Sequence, residues 1–221
     1  MKKDKELGLK VSNHLQCLGI ETPMDDYYVK GKSNEERITI IASNIAEAMK
    51  VLNLDLQDDS LQDTPNRVAK MWVNEIFSGL DYANFPKITA IENKMNCNEM
   101  VLVKNITAHS SCEHHLILVS QIVHIAYIPD KKVIGLSKLA RVAKFFAQRP
   151  EVQERFTSQV FETLKYILET NNVAVSVEGR HYCMIARGVE DSNATTITNK
   201  LGGSFQTDPA TRSEFFMNIK G

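Results

Sequence analysis

Residues 99–128 read EMVLVKNITAHSSCEHHLILVSQIVHIAYI. Two stretches within it, 99–108 and 116–128, are rich in Ile and Val with partial alternation, and both argue for strands. The polar run SSCEHH lies between them. Segments 87–92, 173–178 and 182–187 have the same character. Two helical stretches, roughly 137–147 and 151–170, sit between the middle strands and the last pair. Arg149-Pro150 divides them, because proline disfavours a helical conformation in the residue before it.

Upstream the pattern is helical. A short helix over 5–18 is broken by Thr22, Pro23, Asp25 and Asp26. Ser33 with Glu36 forms a capping box, after which Ile38, Ile41, Ile45, Ala48, Met49 and Leu52 recur at helical spacing. Thr64 and Pro65 open another helix and Gly79 closes it. A last helix runs from Pro209 to about Ile219. Strands in blocks without regular βαβ alternation predict an α+β fold with antiparallel pairing. The division expected is a helical region over 1–90 and a strand-bearing domain over 91–221.

The bulk numbers narrow the class. A chain of 221 residues, 43% hydrophobic and 24% charged, has the make-up of an ordinary globular protein. A net charge of −1 advertises neither nucleic acid nor an anionic membrane as partner. No apolar run reaches the roughly 18–20 residues of a membrane span, and no apolar segment follows the basic start MKKDKELGLK to make a secretory signal. Four cysteines are too few for a disulfide framework at this length, so the expectation is a cytoplasmic protein with reduced thiols.

Those thiols carry the chemistry. Cys112 and His115 are three apart, a spacing that suits one metal where the chain turns tightly, and a thiolate–imidazole pair suits zinc. A lone C-x-x-H is weak, but His181-Tyr182-Cys183 begins a predicted strand, and alternation would put His181 and Cys183 on one face. Three ligands leave a fourth tetrahedral position open, as in catalytic zinc sites, where the metal brings its water to a pKa of about 7. The bland alternative is a pair of buried cysteines, or a reversible disulfide between them.

The resemblance begins at these residues and extends well beyond them. VLVKNITAHSSCEHHL at 101–116, GLSKLARVAKFFAQRPEVQERFT at 135–157, HYCMIARGV at 181–189 and TPNRVAKMW at 64–72 resemble GTP cyclohydrolase I, in register from about residue 35 to the C-terminus. The resemblance implies a T-fold over 91–221: antiparallel strands carrying two helices on one face, after a helical N-terminal region. It also implies a toroidal homodecamer, with one Zn²⁺ per subunit and active sites at subunit interfaces. The reaction implied is the hydrolytic opening of the guanine imidazole ring of GTP. Formate leaves and 7,8-dihydroneopterin triphosphate forms, the first step of tetrahydrofolate and pterin biosynthesis.

By position Cys112, His115 and Cys183 look like the metal ligands, with His114 and His181 as proton-transfer residues, work that suits the neutral-range pKa of histidine. Adjacent His114 and His115 could exchange roles without altering the motif. Glu154 matches the residue that reads the guanine edge, with Gln153 helping; their bland reading is a solvated helix face. For the triphosphate the resemblance points to Lys138, Arg141, Arg187, Arg67 and Lys70, with the hydroxyl of Ser137 counted in the catalytic set.

There are departures. Glu151 stands where Gln is common and Phe156 where Leu is usual; Ala186 replaces a frequent Met. Residues 119–122, Val-Ser-Gln-Ile, replace a Gly-Lys hairpin turn. Other classes fit less well. A nucleobase deaminase carries H-x-E and P-C-x-x-C elements, which are missing here. A non-catalytic member of the fold would not need every ligand and proton-transfer residue. A T-fold nitrile reductase uses a catalytic cysteine without zinc.

Overall fold

The computed structural model describes residues 2–25, 27 and 30–220; Asp26, expected to help break the first helix, lies outside the described residues. Helix α1 (Lys5–Cys17) starts at Asp4, whose carboxylate accepts from Leu7 N at 3.0 Å. Helix α2 (Asn34–Val51) opens with the expected capping box: Ser33 Oγ accepts from Glu36 N at 3.2 Å, and the Glu36 carboxylate from Ser33 N at 2.7 Å. Helix α3 (Thr64–Met71) has Asp63 as its cap residue, which moves Thr64 into the first turn. It does not run on to Gly79; a π-helical turn, Trp72–Ile76, follows it.

The strands are β1 (Ala90–Glu92), β2 (Val101–Cys112), β3 (Leu118–Tyr127), β4 (Lys132–Ile134), β5 (Pro150–Glu151), β6 (Val173–His181) and β7 (Thr196–Leu201). Helix α4 (Leu136–Ala147) precedes β5, and α5 (Gln153–Leu168) follows it. A single helical turn, α6 (Tyr182–Ile185), leads away from β6, and α7 (Ser204–Thr207) and α8 (Pro209–Lys220) end the chain.

The main sheet has the order β5-β2-β3-β6-β7, antiparallel except where β5 lies parallel to β2. β1 and β4 form a separate two-stranded ladder. Val123, Ile125 and Tyr127 of β3 and Val173, Val175 and Val177 of β6 share one face. They join Val142, Phe146, Phe156, Val160 and Leu164 from α4 and α5 in the main core. At about 25 cal/mol per Å² of apolar surface, this burial is the chief term holding the helices on that face. α1 adds Val11 and Leu15 to the same core. Ala126 and Ala174, on the opposite face, pack with Phe205 and Phe215 of α7 and α8. The result is an α+β architecture whose larger sheet is mostly antiparallel.

The chain divides into two units, Met1–Thr22 with Gly79–Gly221, and Pro23–Ser78. The larger therefore takes in α1 and the segment before β1, which the sequence grouped with the other helices by element type. In the smaller unit α2 and α3 pack together, burying Met49 and Ala69. Among the described residues no helix is long and apolar enough to cross a membrane.

Several local expectations need correction. Residues 182–187 form no strand: β6 ends at His181 and the backbone closes a turn, Ala186 N donating to Tyr182 O at 2.9 Å. Short apolar runs do not distinguish helix from strand by periodicity. The sequence pattern does not reveal β7, because TITNKL is an edge strand whose exposed positions mix apolar Ile197 with polar Asn199 and Lys200. The helix expected from 151 starts at Gln153, since Pro150–Glu151 pairs with Ser111–Cys112. Residues 119–122 make no turn; they lie inside β3. Phe156, fully buried, is absorbed by the core, whereas nothing in the structure explains Ala186.

Candidate metal centre and nucleotide site

Cys112 closes β2, and the chain reverses over the next five residues. Cys112 N donates to Ile117 O and Leu116 N to Cys112 O, each at 2.8 Å, with Leu116 in the left-handed region at φ 54°. This tight turn projects His114 and His115 as exposed side chains. Two strands away β6 delivers His181, and α6 brings Cys183 back toward Cys112. The potential ligand atoms of Cys112, His115 and Cys183 lie within 4.8 Å of one another. All four cysteines are free thiols. Two sulfurs and an imidazole at this separation fit a zinc-type cation. Cys183 reaches the cluster through a helical turn, so the strand alternation expected from the sequence is not what places it.

The surroundings are specific. Burial raises the Cys183 thiol above its usual range, and the neighbouring Cys112 thiol adds to the effect. His114 Nδ1 stands 3.7 Å from Cys112 Sγ. The guanidinium of Arg187 donates to His115 Nε2 at 2.9 Å. Arginine has no acceptor, so this imidazole nitrogen carries the lone pair. Arg155 of α5 pairs with Glu113 of the turn at 2.5 Å, tying the two motifs together. Neither residue of that pair stood out in the sequence, where they read only as motif filler.

A cavity of about 340 Å³ opens beside the cluster, lined by Cys112, His114, His115, Glu154, His181 and Cys183 among others. Glu154 is exposed on the first turn of α5, while its neighbour Gln153 is 2% exposed. The Gln153 amide nitrogen donates to Val177 O, Thr196 O and Thr198 Oγ1 at 2.9–3.1 Å. Its carbonyl oxygen lies 2.9 Å from His181 Nε2, so the imidazole is the donor there. Gln153 thus lines the cavity while its amide is held by the protein and by His181. Burial lowers the pKa of His181, and the Glu154 carboxylate partly opposes that shift.

Within the larger unit, the residues expected at the triphosphate do not line one cavity. Ser137, Lys138 and Arg141 occupy the start of α4, where neither an acidic side chain nor a side-chain cap covers the first turn. Lys138 and Arg141 line a separate cavity. Arg187 stands against His115. Arg67 and Lys70 are exposed on α3 in the smaller unit, Arg67 pairing with Asp63 at 3.1 Å.

Two departures from the common sequence meet each other. Glu151 is buried next to Cys112 in the sheet register, and its Oε1 accepts from Ser110 Oγ at 2.7 Å and Gln121 Nε2 at 2.6 Å. Burial pushes its carboxyl up to about 8, with both hydrogen bonds pulling the other way.

The family described as GTP cyclohydrolase I matches residues 41–220. Curated relatives match along almost the whole chain. GTP cyclohydrolase 1 of Aliivibrio salmonicida is 51% identical over 220 residues, covering 100% of both chains. The Photobacterium profundum protein of that name is 53% identical over 215 residues, 97% of this chain and 98% of its own. The Escherichia coli O1:K1 / APEC protein is 52% identical over 216 residues, 98% of this chain and 96% of its own.

Proposed function

The chain belongs to the GTP cyclohydrolase I family, and on that premise we propose that it opens the guanine imidazole ring of GTP by hydrolysis, releasing formate and forming 7,8-dihydroneopterin triphosphate. One observation carries the residue-level reading. Cys112, His115 and Cys183 converge within 4.8 Å at the wall of a cavity that also holds His114, His181 and Glu154.

Cys112, His115 and Cys183 would hold one Zn²⁺. When bound, that ion supplies an activated water at neutral pH. Nitrogen 7 of guanine must gain a proton before carbon 8 becomes a good electrophile, and His114 and His181 are assigned to proton transfer. Gln153 holds the proton of His181 at Nε2, which leaves Nδ1 as the nitrogen that exchanges protons. Glu154 accepts from the ring N–H and exocyclic amine of guanine, a pair that adenine does not offer. Ser137, Lys138, Arg141, Arg187, Arg67 and Lys70 are assigned to the triphosphate and its orientation. The same reading makes the α+β body a T-fold catalytic domain over 91–221 after a helical region over 1–90. It includes a toroidal homodecamer in the cytoplasm, without nucleic-acid or membrane partners.

The test is GTP turnover by metal-replete protein, followed by formate release and by pterin fluorescence after oxidation and dephosphorylation. Chelation is expected to abolish both signals and added zinc to restore them. Absence of pterin from a preparation shown to contain zinc overturns the reading.

A further inference from the structure

The cavity that contains Lys138 and Arg141 is not lined by α4 alone. It has a volume of about 550 Å³, and its other walls are Lys2, Lys87 and Thr89. Among the described residues no carboxylate lines it. Among the described residues, none of these four cations forms an ion pair.

Backbone bonds hold the lysines in place. Lys87 N donates to Lys2 O at 3.0 Å and Asp4 N to Phe85 O at 2.8 Å, with Lys3 bridged to Pro86 between them. Gly135 N, just before α4, donates to Thr89 O at 3.5 Å. Three separate chain segments therefore present positive charge to one space. Uncompensated like charges repel, and this arrangement becomes favourable when an anion occupies the cavity. Four cations exceed what a single phosphate needs and suit a chain of linked phosphates, with lysine serving as an adaptable point charge.

We propose that Lys2 and Lys87, with the Thr89 hydroxyl, complete with Lys138 and Arg141 a binding site for the polyphosphate of a nucleoside triphosphate. The proposal rests on the assignment of GTP as substrate for the identity of that nucleotide. The polyphosphate specificity stands on the cavity itself. Neither lysine belongs to a recognisable motif, and only the pairing of residues 2–4 with 85–87 brings Lys2 into place.

The experiment titrates inorganic tripolyphosphate into the full-length protein by calorimetry and measures KM for GTP on the same preparations. Lys2→Gln and Lys87→Gln are each expected to weaken tripolyphosphate binding about tenfold and to raise KM for GTP in parallel. Lys87→Arg, which keeps the charge, should retain most of the affinity. Lys131→Gln, at an exposed lysine outside the cavity, controls for net charge and should change nothing. Wild-type affinity in both glutamine variants overturns the proposal, as does a wild-type protein that does not bind tripolyphosphate. A wild-type protein that binds tripolyphosphate through Lys87 but makes no pterin from GTP upholds the cavity and removes the substrate assignment.

Discussion

The side-chain oxygen of Gln153 and Nε2 of His181 are 2.9 Å apart, and Gly179 leaves the space in which they meet. A Cβ at position 179 would lie 2.1 Å from Gln153 Oε1, well inside contact distance. Because the Gln153 amide nitrogen is bound to two carbonyls, the amide cannot flip to suit the imidazole. Gln153 is therefore a positioning residue for His181. Gln153→Leu and Gly179→Ala should both lower kcat by about tenfold or more, with a smaller change in KM for GTP. Loss confined to KM would show instead that Gln153 meets the substrate.

Glu151 makes stability depend on pH. Its folded pKa of about 8 lies above the unfolded value near 4.5, so between those limits the folded state holds a proton that the unfolded chain has released. Stability contributed by the neutral acid is present below the unfolded pKa and is lost as pH rises toward 8. Glu151→Gln keeps an oxygen to accept from Ser110 and Gln121 and cannot ionise. The variant should match wild type near pH 4.5 and exceed it by roughly 10–20 °C in Tm at pH 8.5. A constant difference across that range would exclude the buried proton.

Arg149 is a buried clamp in the larger unit. Its NH1 donates to Glu21 Oε1 at 3.1 Å and to Thr22 Oγ1 at 3.2 Å, and NH2 donates to Gly79 O. The guanidinium also lies 4.8–5.2 Å from the ring centres of Tyr82, Phe145 and Phe146. Removing one partner leaves the Glu21 carboxylate nearly buried and uncompensated. Arg149→Met should cost about 2–4 kcal/mol in urea unfolding, and Arg149→Lys only somewhat less. A loss below about 1 kcal/mol would mean that Glu21 reaches solvent freely.

Much of the architecture could be read from local signals. Ser33 and Glu36 announce a helix start because the capping box is made by near neighbours. The Ile- and Val-rich halves of 99–128 announce β2 and β3 for the same reason. Legibility ended where partners are distant in sequence. Arg149 looked like a boundary marker beside Pro150, yet its guanidinium is held by Glu21, Thr22 and Gly79. Glu151 and Gln121 were noticed separately as departures, and only the β5-β2-β3 order shows that one accommodates the other. Within the candidate site, the C-x-x-H spacing depends on one turn and was visible. The roles of Gln153 and Lys87 depend on β6, β7 and the N-terminal segment, and so were not.

Metal uptake should separate the two adjacent histidines and count the thiols. His115 belongs to the cluster with Cys112 and Cys183, whereas His114 touches it only through Cys112 Sγ at 3.7 Å. His115→Ala should therefore lose zinc affinity by several orders of magnitude, and His114→Ala should keep its zinc and lose turnover. The Cys183 thiol is raised by burial and holds its proton near neutral pH in the metal-free protein, so coordination must expel that proton. Zinc added at pH 7 in weak buffer should release protons, and Cys183→Ser should release about one fewer. Arg187→Ala removes the donor on His115 Nε2, which should ease metal entry while raising KM for GTP. Equal zinc affinity in the His114 and His115 variants would reassign the imidazole ligand, because either ring would then serve.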